Sequence, residues 1–278
     1  MRKLTTLAAA AALCLLAVSC GSKKDEPLKI SIFCDHIGTI ARQEGISFAE
    51  AATLVKEMGY TGADIRVFQR PSELKSLDSL GFEHACAITE IDYSKEDQTG
   101  LEDKTLEFMA EQGFDRLLLV TGLMPDDAPK AARDAARERI AAFADRVTAQ
   151  GYEIMVEDYD NRRSLCYNAE RIDSIFTLTA NLGLVFDSGN FLFAGQDALE
   201  CLGHFRDRVG HVHLKDRASS EDMTCTPVGN GCIPIDEVIG RLVSTGYDGW
   251  FTVEQYGSRN MLQDSETSFQ NVQALLQR

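Results

Sequence analysis

From Lys29 to the end, the chain alternates between short β-forming runs and amphipathic helical stretches, and this repetition limits the possible folds more than any other feature of the sequence. The β-like runs are "LKISIFC", "TGADIRVF", "FEHACAI", "DRLLLVTG", "YEIMVED", "LVFDSG", "VGHVHLKD" and "YDGWFTVEQ". Between them lie "SFAEAATLVKEMG", "SELKSLDSLG", "LEDKTLEFMAEQG", "APKAARDAARERIAAFADRVTAQG", "NAERIDSIFTLTANLG", "QDALECLGHF" and "IDEVIGRLVSTG", with a last helix near 262–277. Gly59, Gly81, Gly113, Gly151, Gly183 and Gly246 each stand just before the next strand, where a glycine can cap a helix and start a short αβ loop. Eight such units without a Pro-, Gly- or Ser-rich linker predict an α/β fold, a single-domain (β/α)8 TIM barrel over residues 29–278. An open doubly wound sheet would want a glycine fingerprint after its first strand, and "FCDHIGTIAR" offers only Gly38.

The residues before the barrel are of another kind. Arg2 and Lys3 precede "LTTLAAAAALCLLAV" and the small residues "SCGS", which predicts a secretory signal over residues 1–19 rather than a membrane span. The ending "LAVSC" resembles a bacterial lipobox. It implies a lipid on Cys20, a tether over residues 20–28, and anchorage in the bacterial cell envelope at the outer membrane, facing the periplasm or the surface. The lipid on Cys20 is then the only expected membrane contact. A formal net charge of −15 opposes a phosphate backbone, so nucleic acid is excluded as a partner. Six cysteines follow Cys20 and none forms a CxxC pair. They read as small buried hydrophobes, with a Cys225–Cys232 bridge across the glycine-rich loop as the alternative.

Strand parity locates the chemistry. Alternate residues of a strand share a face, so His211, His213 and Lys215 oppose the apolar Val212 and Leu214. The same test turns Glu157, Asp187 and Glu254 inward at the carboxyl ends of their strands, the end at which barrel active sites lie. His211, deeper in its strand, reads as barrel filling. Three carboxylates gathered in an apolar mouth need a positive partner. Three hard oxygens with one imidazole suit a divalent metal, Mn²⁺ best, with Mg²⁺, Co²⁺, Fe²⁺ or Zn²⁺ as alternatives. Salt bridges from Lys215 and Arg217 are the competing arrangement.

Glu157 in "VED", Asp187 in "FDSGN", His213 in "HVHLKD" and Glu254 in "VEQ", with "SFAEAATLVKEMGYTGADI" and "VGNGCIPIDEVIGRLVSTGYDGWFTVE", resemble the xylose-isomerase-like sugar phosphate isomerase/epimerase superfamily over residues 29–278. That resemblance implies one divalent cation held by Glu157, Asp187, His213 and Glu254. It further implies Glu157 and Glu254 as the acid/base pair that removes and returns a proton α to a carbonyl, through an enediolate. Many members carry a histidine where this chain has Asn190; asparagine can orient a substrate but cannot carry a proton. An apurinic endonuclease with several zinc ions would need more histidines than His36, His84, His204, His211 and His213 supply.

The expected activity is therefore that of a divalent-metal-dependent sugar isomerase or epimerase. A keto-sugar or inosose lyase or dehydratase on the same site is the first alternative, and a non-catalytic sugar-binding lipoprotein the second. The partner is a small sugar or keto-sugar. The sequence does not address the oligomeric state. Asn190, Lys215, Arg217, His36 and Asp64 are the expected substrate contacts, with loop hydrogen bonding an equal alternative for His36 and Asp64.

Overall fold

The computed structural model describes residues 29–278; the expected signal, tether and lipidated Cys20 lie outside the described residues. Eight parallel strands close a barrel: β1 (Ile30–Phe33), β2 (Gly62–Arg66), β3 (Glu83–Glu90), β4 (Arg116–Val120), β5 (Glu153–Glu157), β6 (Gly183–Asp187), β7 (Val209–Leu214) and β10 (Phe251–Val253). Each pairs with its sequence neighbour among these eight, and β1 closes the ring on β10 through Ser31 opposite Thr252. A short antiparallel pair, β8 (Asp216–Arg217) and β9 (Cys225–Thr226), continues from β7 at its carboxyl end. The predicted single-domain TIM barrel is the observed fold.

The helices are α1 (Cys34–Glu44), α2 (Phe48–Met58), α3 (Pro71–Ser79), α4 (Thr99–Gln112), α5 (Lys130–Ala149), α6 (Ala169–Phe176), α7 (Ala198–Phe205), α8 (Ile235–Ser244) and α9 (Met261–Leu276). One helix per strand was the expectation, but two follow β1. The first, α1, starts without a loop, buries Cys34, Ile37 and Ile40 at a three-residue spacing, and stops at Gly45 with φ 70°. Ser47 then starts α2 with a reciprocal capping box to Glu50. Gly59, Gly81, Gly113, Gly151 and Gly246 take positive φ as expected, whereas Gly183 opens β6 instead of capping a helix.

Alternation along the strands divides the core in two. Outward apolar residues such as Ile32, Ala63, Leu117, Ile154, Leu184 and Val212 join the helices in one large cluster. Phe33, Cys86, Ile88, Leu118, Met155 and Val185 fill the barrel interior. The cysteine expectation needs correction: Cys34, Cys86, Cys166 and Cys201 are buried, but Cys225 is half-buried and Cys232 exposed, and all six are free thiols. Cys225 lies on β9 opposite Arg217, and Cys232 on the loop after it, its N–H bonded to the Arg217 carbonyl.

Asp216 folds that loop. Its carboxylate accepts the backbone N–H groups of Gly229, Gly231 and Ile233 as well as that of Arg217, turning "VGNGC" into a cradle around one side chain. A Cβ at Gly231 would lie 2.1 Å from the Arg217 carbonyl oxygen, so no larger residue fits there. The cradle fixes the backbone of Arg217 at the mouth.

Candidate active site

Four strands deliver their last inward residue to one point. Asp187 pairs in register with His213, Glu157 ends β5, and Glu254 follows β10 with its N–H bonded to the Leu214 carbonyl. One ligand atom from each of Glu157, Asp187, His213 and Glu254 lies within 4.8 Å of the other three, and all four residues are buried. This is the set that parity brought together.

A second polar layer lies beneath it. Asp64 Oδ2 is 2.8 Å from His211 Nε2 and 3.1 Å from His213 Nε2, while Thr252 Oγ1 donates to Asp64 Oδ1 at 3.0 Å. Burial pushes the Asp64 carboxyl up, but His211 and His213 outweigh it and hold it down at about 2. His211 is barrel filling, as expected, and forms part of this layer. Asp64 was expected against substrate; the structure places it below the mouth, where it fixes the His213 ring with Nδ1 facing the carboxylates.

His213 Nδ1 is 2.5 Å from Glu157 Oε1 and 3.2 Å from Glu254 Oε2. Burial opposes its charge, yet Glu157 and the hydrogen bonds to the surrounding carboxylates raise its pKa well above the ordinary value. Lys215 Nζ sits 2.7 Å from Asp187 Oδ2, 2.6 Å from Glu254 Oε1 and 3.1 Å from Asn190 Oδ1. Burial lowers its pKa and the Asp187 and Glu254 charges more than restore it, so it is a fixed ammonium. Glu254 is correspondingly held below the usual carboxylate range by Lys215 and His213 despite its burial. Asp187 rises to about 7, because burial and the neighbouring Glu254 and Glu157 charges prevail over Lys215. The salt-bridge arrangement therefore coexists with the cluster, through Lys215 rather than Arg217.

Arg217 turns to Asn190 instead, donating to its Oδ1 at 3.0 Å, and its guanidinium lies 4.8 Å from the centre of the Phe193 ring. Asn190 donates its own Nδ2 to the Asp158 carbonyl, which leaves its oxygen to hold both cations at the mouth. Asp158, beside Glu157 in sequence, is fully buried, accepts the Asp187 N–H, and is pushed well above the usual range by burial and by Asp187. Parity points it away from the mouth and gave no hint of this role.

A divalent cation fits these donors. Asp187 Oδ2 and Glu254 Oε2 are buried, and each is met by a single cationic neighbour, Lys215 and His213 respectively, which leaves lone pairs for ligation. Three carboxylates and an imidazole backed by Asp64 make a hard donor set with an oriented ring.

Two expected results follow from this geometry. Ligation requires the His213 Nδ1 proton, and below pH 7 also the Asp187 proton, to leave. Metal affinity should therefore rise with pH, by about tenfold per unit for each proton displaced, and more steeply below pH 7 than above it, as read by chelator competition. Asp64→Asn should weaken metal binding by roughly 10- to 100-fold while leaving the barrel folded. Unchanged affinity in that variant would deny Asp64 its part.

Above the cluster opens a cleft of about 320 Å³, with Phe33, Ile88, Leu118 and Val120 on one wall and Glu157, Asn190, Lys215, Arg217 and Glu254 on the other. Arg66 and Glu90 interrupt the apolar side, so the cleft offers a single sugar ring apolar contact with polar groups on both sides. Tyr256 and Arg66 also line it, tied together through Asp35 at 2.9 and 2.7 Å. The sequence reading missed Tyr256, although its position two residues after Glu254 gives it the same parity. His36 lies on α1 and accepts the Gln255 N–H at 2.9 Å, bracing the residue after Glu254 from behind. It is fully buried and does not line the cleft. His84 is stacked on Phe114 and bonded to Asp78 and the Gln112 carbonyl, and His204 is paired with Asp173 on the exposed side of α7.

Comparison with known proteins gives a consistent picture. The profile of the xylose isomerase-like TIM barrel family matches residues 52–278. An inosose dehydratase from Geobacillus kaustophilus is 26% identical over 242 residues, covering 71% of this chain and 76% of that protein. The chain spans a shorter part, 55%, of the inosose dehydratase from Lacticaseibacillus casei. Among solved structures, one described as the probable 3-DHS dehydratase of petrobactin synthesis from Bacillus anthracis superposes with a TM-score of 0.72 at 15% identity, covering 88% of this chain and 99% of that one. An L-ribulose 3-epimerase does so with a TM-score of 0.71 at 14% identity, covering 90% and 95%. These two likenesses are of fold.

Proposed function

The chain belongs to the xylose isomerase-like TIM barrel family, and on that footing we propose that it is a metal-dependent enzyme that removes a proton α to the carbonyl of a polyhydroxylated ketone, as a sugar isomerase or epimerase does. The observation that carries the reading is the convergence of Glu157, Asp187, His213 and Glu254 at the foot of a ring-sized cleft. Glu157, Asp187, His213 and Glu254 would hold the cation, which when bound offsets negative charge developing on the substrate oxygens. Mn²⁺ is the proposed ion on its match to these donors.

The chain's own groups supply the rest. Glu254 is ionised at neutral pH, and the Lys215 and His213 charges that keep it so make it a weak base, sufficient for an α-proton acidified beside the cation. Glu157 reaches the same space from β5 to return a proton. Lys215 stays charged and acts as a fixed positive group beside the developing enediolate, not as a proton donor. Arg217, held in place by Asn190, presents guanidinium N–H groups to hydroxyls, and Phe33, Ile88 and Leu118 offer apolar surface to the ring.

A dehydratase or lyase outcome is the second reading, favoured by the inosose dehydratase relatives. The same carbanion would then expel a β-hydroxyl or alkoxy group, which leaves as water or an alcohol with the proton that Glu157 otherwise returns to carbon. Incubating the metal-loaded protein in D2O with ketohexoses, inososes and 3-keto-glycosides tests both. Deuterium at the α-carbon with retained composition supports isomerisation or epimerisation, loss of water or an aglycone supports elimination, and binding without exchange in any of them would leave a sugar-binding protein. Envelope anchorage through Cys20 belongs to the same proposal; labelled palmitate should enter the protein and be lost in Cys20→Ser.

A further inference from the structure

A second cleft, of about 350 Å³, opens on the same end of the barrel, between the loops that follow β4 and β5, and is lined by Arg133, Arg162, Arg163 and Arg171 with Pro125 and Asp126. In a chain of net charge −15 this is an unusual concentration of guanidinium groups. The way they are held is more informative than their number. Arg133 donates to the Ala128 and Asp126 carbonyls, Arg163 to the Met124 carbonyl, and Arg171 to the Arg162 and Ser164 carbonyls. Among the described residues no carboxylate lies within ion-pair distance of these three, and Arg162 has only Asp126, at 3.9 Å. Neutral carbonyls thus fix the side chains in place without cancelling their charge.

Two further features make the arrangement unfavourable as it stands. The twenty-residue α5 begins here with Lys130 and Arg133 in its first turn, no acidic residue there and no side-chain cap, the reverse of what a helix N-terminus favours. Lys130 is relieved by Asp134, but Arg133 is not. Arg171 is pushed below the usual arginine range by partial burial and by the charges of Arg133 and Arg137. The loops that carry the cluster are also braced: Leu123 bridges to Ser164, and the Met124 N–H bonds the Arg163 carbonyl. Three guanidinium groups braced by carbonyls and without a carboxylate partner, with the exposed Arg162 beside them at a helix N-terminus, make an oxyanion receptor.

We propose that this cleft binds a sulfate- or phosphate-type oxyanion, at a site separate from the metal cluster. Four guanidinium charges suit a tetrahedral dianion better than a single carboxylate, and the location on the active rim lets the oxyanion arrive either as a free ion or as a substituent on a saccharide.

The test is calorimetric titration of the full-length protein with inorganic sulfate and inorganic phosphate at low ionic strength, with chloride at matched ionic strength as control. Saturable binding of sulfate or phosphate is expected. Arg162→Gln/Arg163→Gln should weaken it by about tenfold or more, the loss of one or two charge-assisted bonds. Asp126→Asn, which adds no cavity, should strengthen it about threefold by removing the nearest negative charge; this holds even if the double variant folds poorly. Glucose 6-sulfate binding more tightly than inorganic sulfate assigns the oxyanion to a saccharide, and equal binding assigns it to the free ion. No saturable binding, equal affinity in the double variant and the native protein, or binding lost only in Arg217→Gln would overturn the proposal.

Discussion

Glu254→Gln should abolish solvent hydrogen exchange at the substrate α-carbon, lowering the rate by about a thousandfold, within the range for loss of a general base. The substitution is close to isosteric, and Lys215 retains Asp187 as a partner, so the barrel should stay folded. Because Glu254 is also a proposed ligand, the comparison belongs at saturating metal. Glu157→Gln should behave differently: with the base at Glu254 intact, deuterium still enters the substrate, while net product formation fails for want of the second proton transfer. NMR in D2O separates the two variants. Full exchange in Glu254→Gln, or identical losses of exchange in both, would remove the two-glutamate assignment.

Lys215→Met should have its largest effect on the metal-stripped protein. Removing the ammonium leaves Asp187 and Glu254 buried beside each other and beside Glu157, and breaking a buried ion pair from one side costs about 3–5 kcal/mol. A bound divalent cation would supply the missing charge, so saturating Mn²⁺ should recover most of that loss. Urea unfolding followed by circular dichroism, with chelator and then with metal, reads both numbers. A loss of the same size with and without metal would mean that Lys215 alone neutralises the cluster and that no cation shares the work.

The legible part of the molecule was the part governed by periodicity. Helix period and strand alternation specified the barrel, and parity placed Glu157, Asp187, His213 and Glu254 on one rim and His211 inside it. Depth along a strand was harder to read. Asp64 has the right facing but lies too low, because β2 runs two residues further to Arg66, which takes the rim position, and Asp64 serves His213 instead of the cleft. His36 was hidden by α1, whose start directly from β1 leaves no turn signal in "SIFCDHIG". Asn190 and Lys215 face the cleft as expected, but their hydrogen bonds to each other and to Arg217 depend on side-chain reach across two strands, which no spacing rule encodes. The arginine cleft was equally invisible: Arg162 and Arg163 share one loop, Arg133 and Arg171 belong to two different helices, and only folding brings them together.

The central claim, that four strands build a seat for one cation, is tested most directly by crystals grown with millimolar Mn²⁺ and measured for anomalous scattering. One strong peak per chain is expected among Glu157, Asp187, His213 and Glu254, and it should vanish in Asp187→Ala. An ordered barrel with no peak, and the Lys215 ammonium still seated between Asp187 and Glu254, would contradict it.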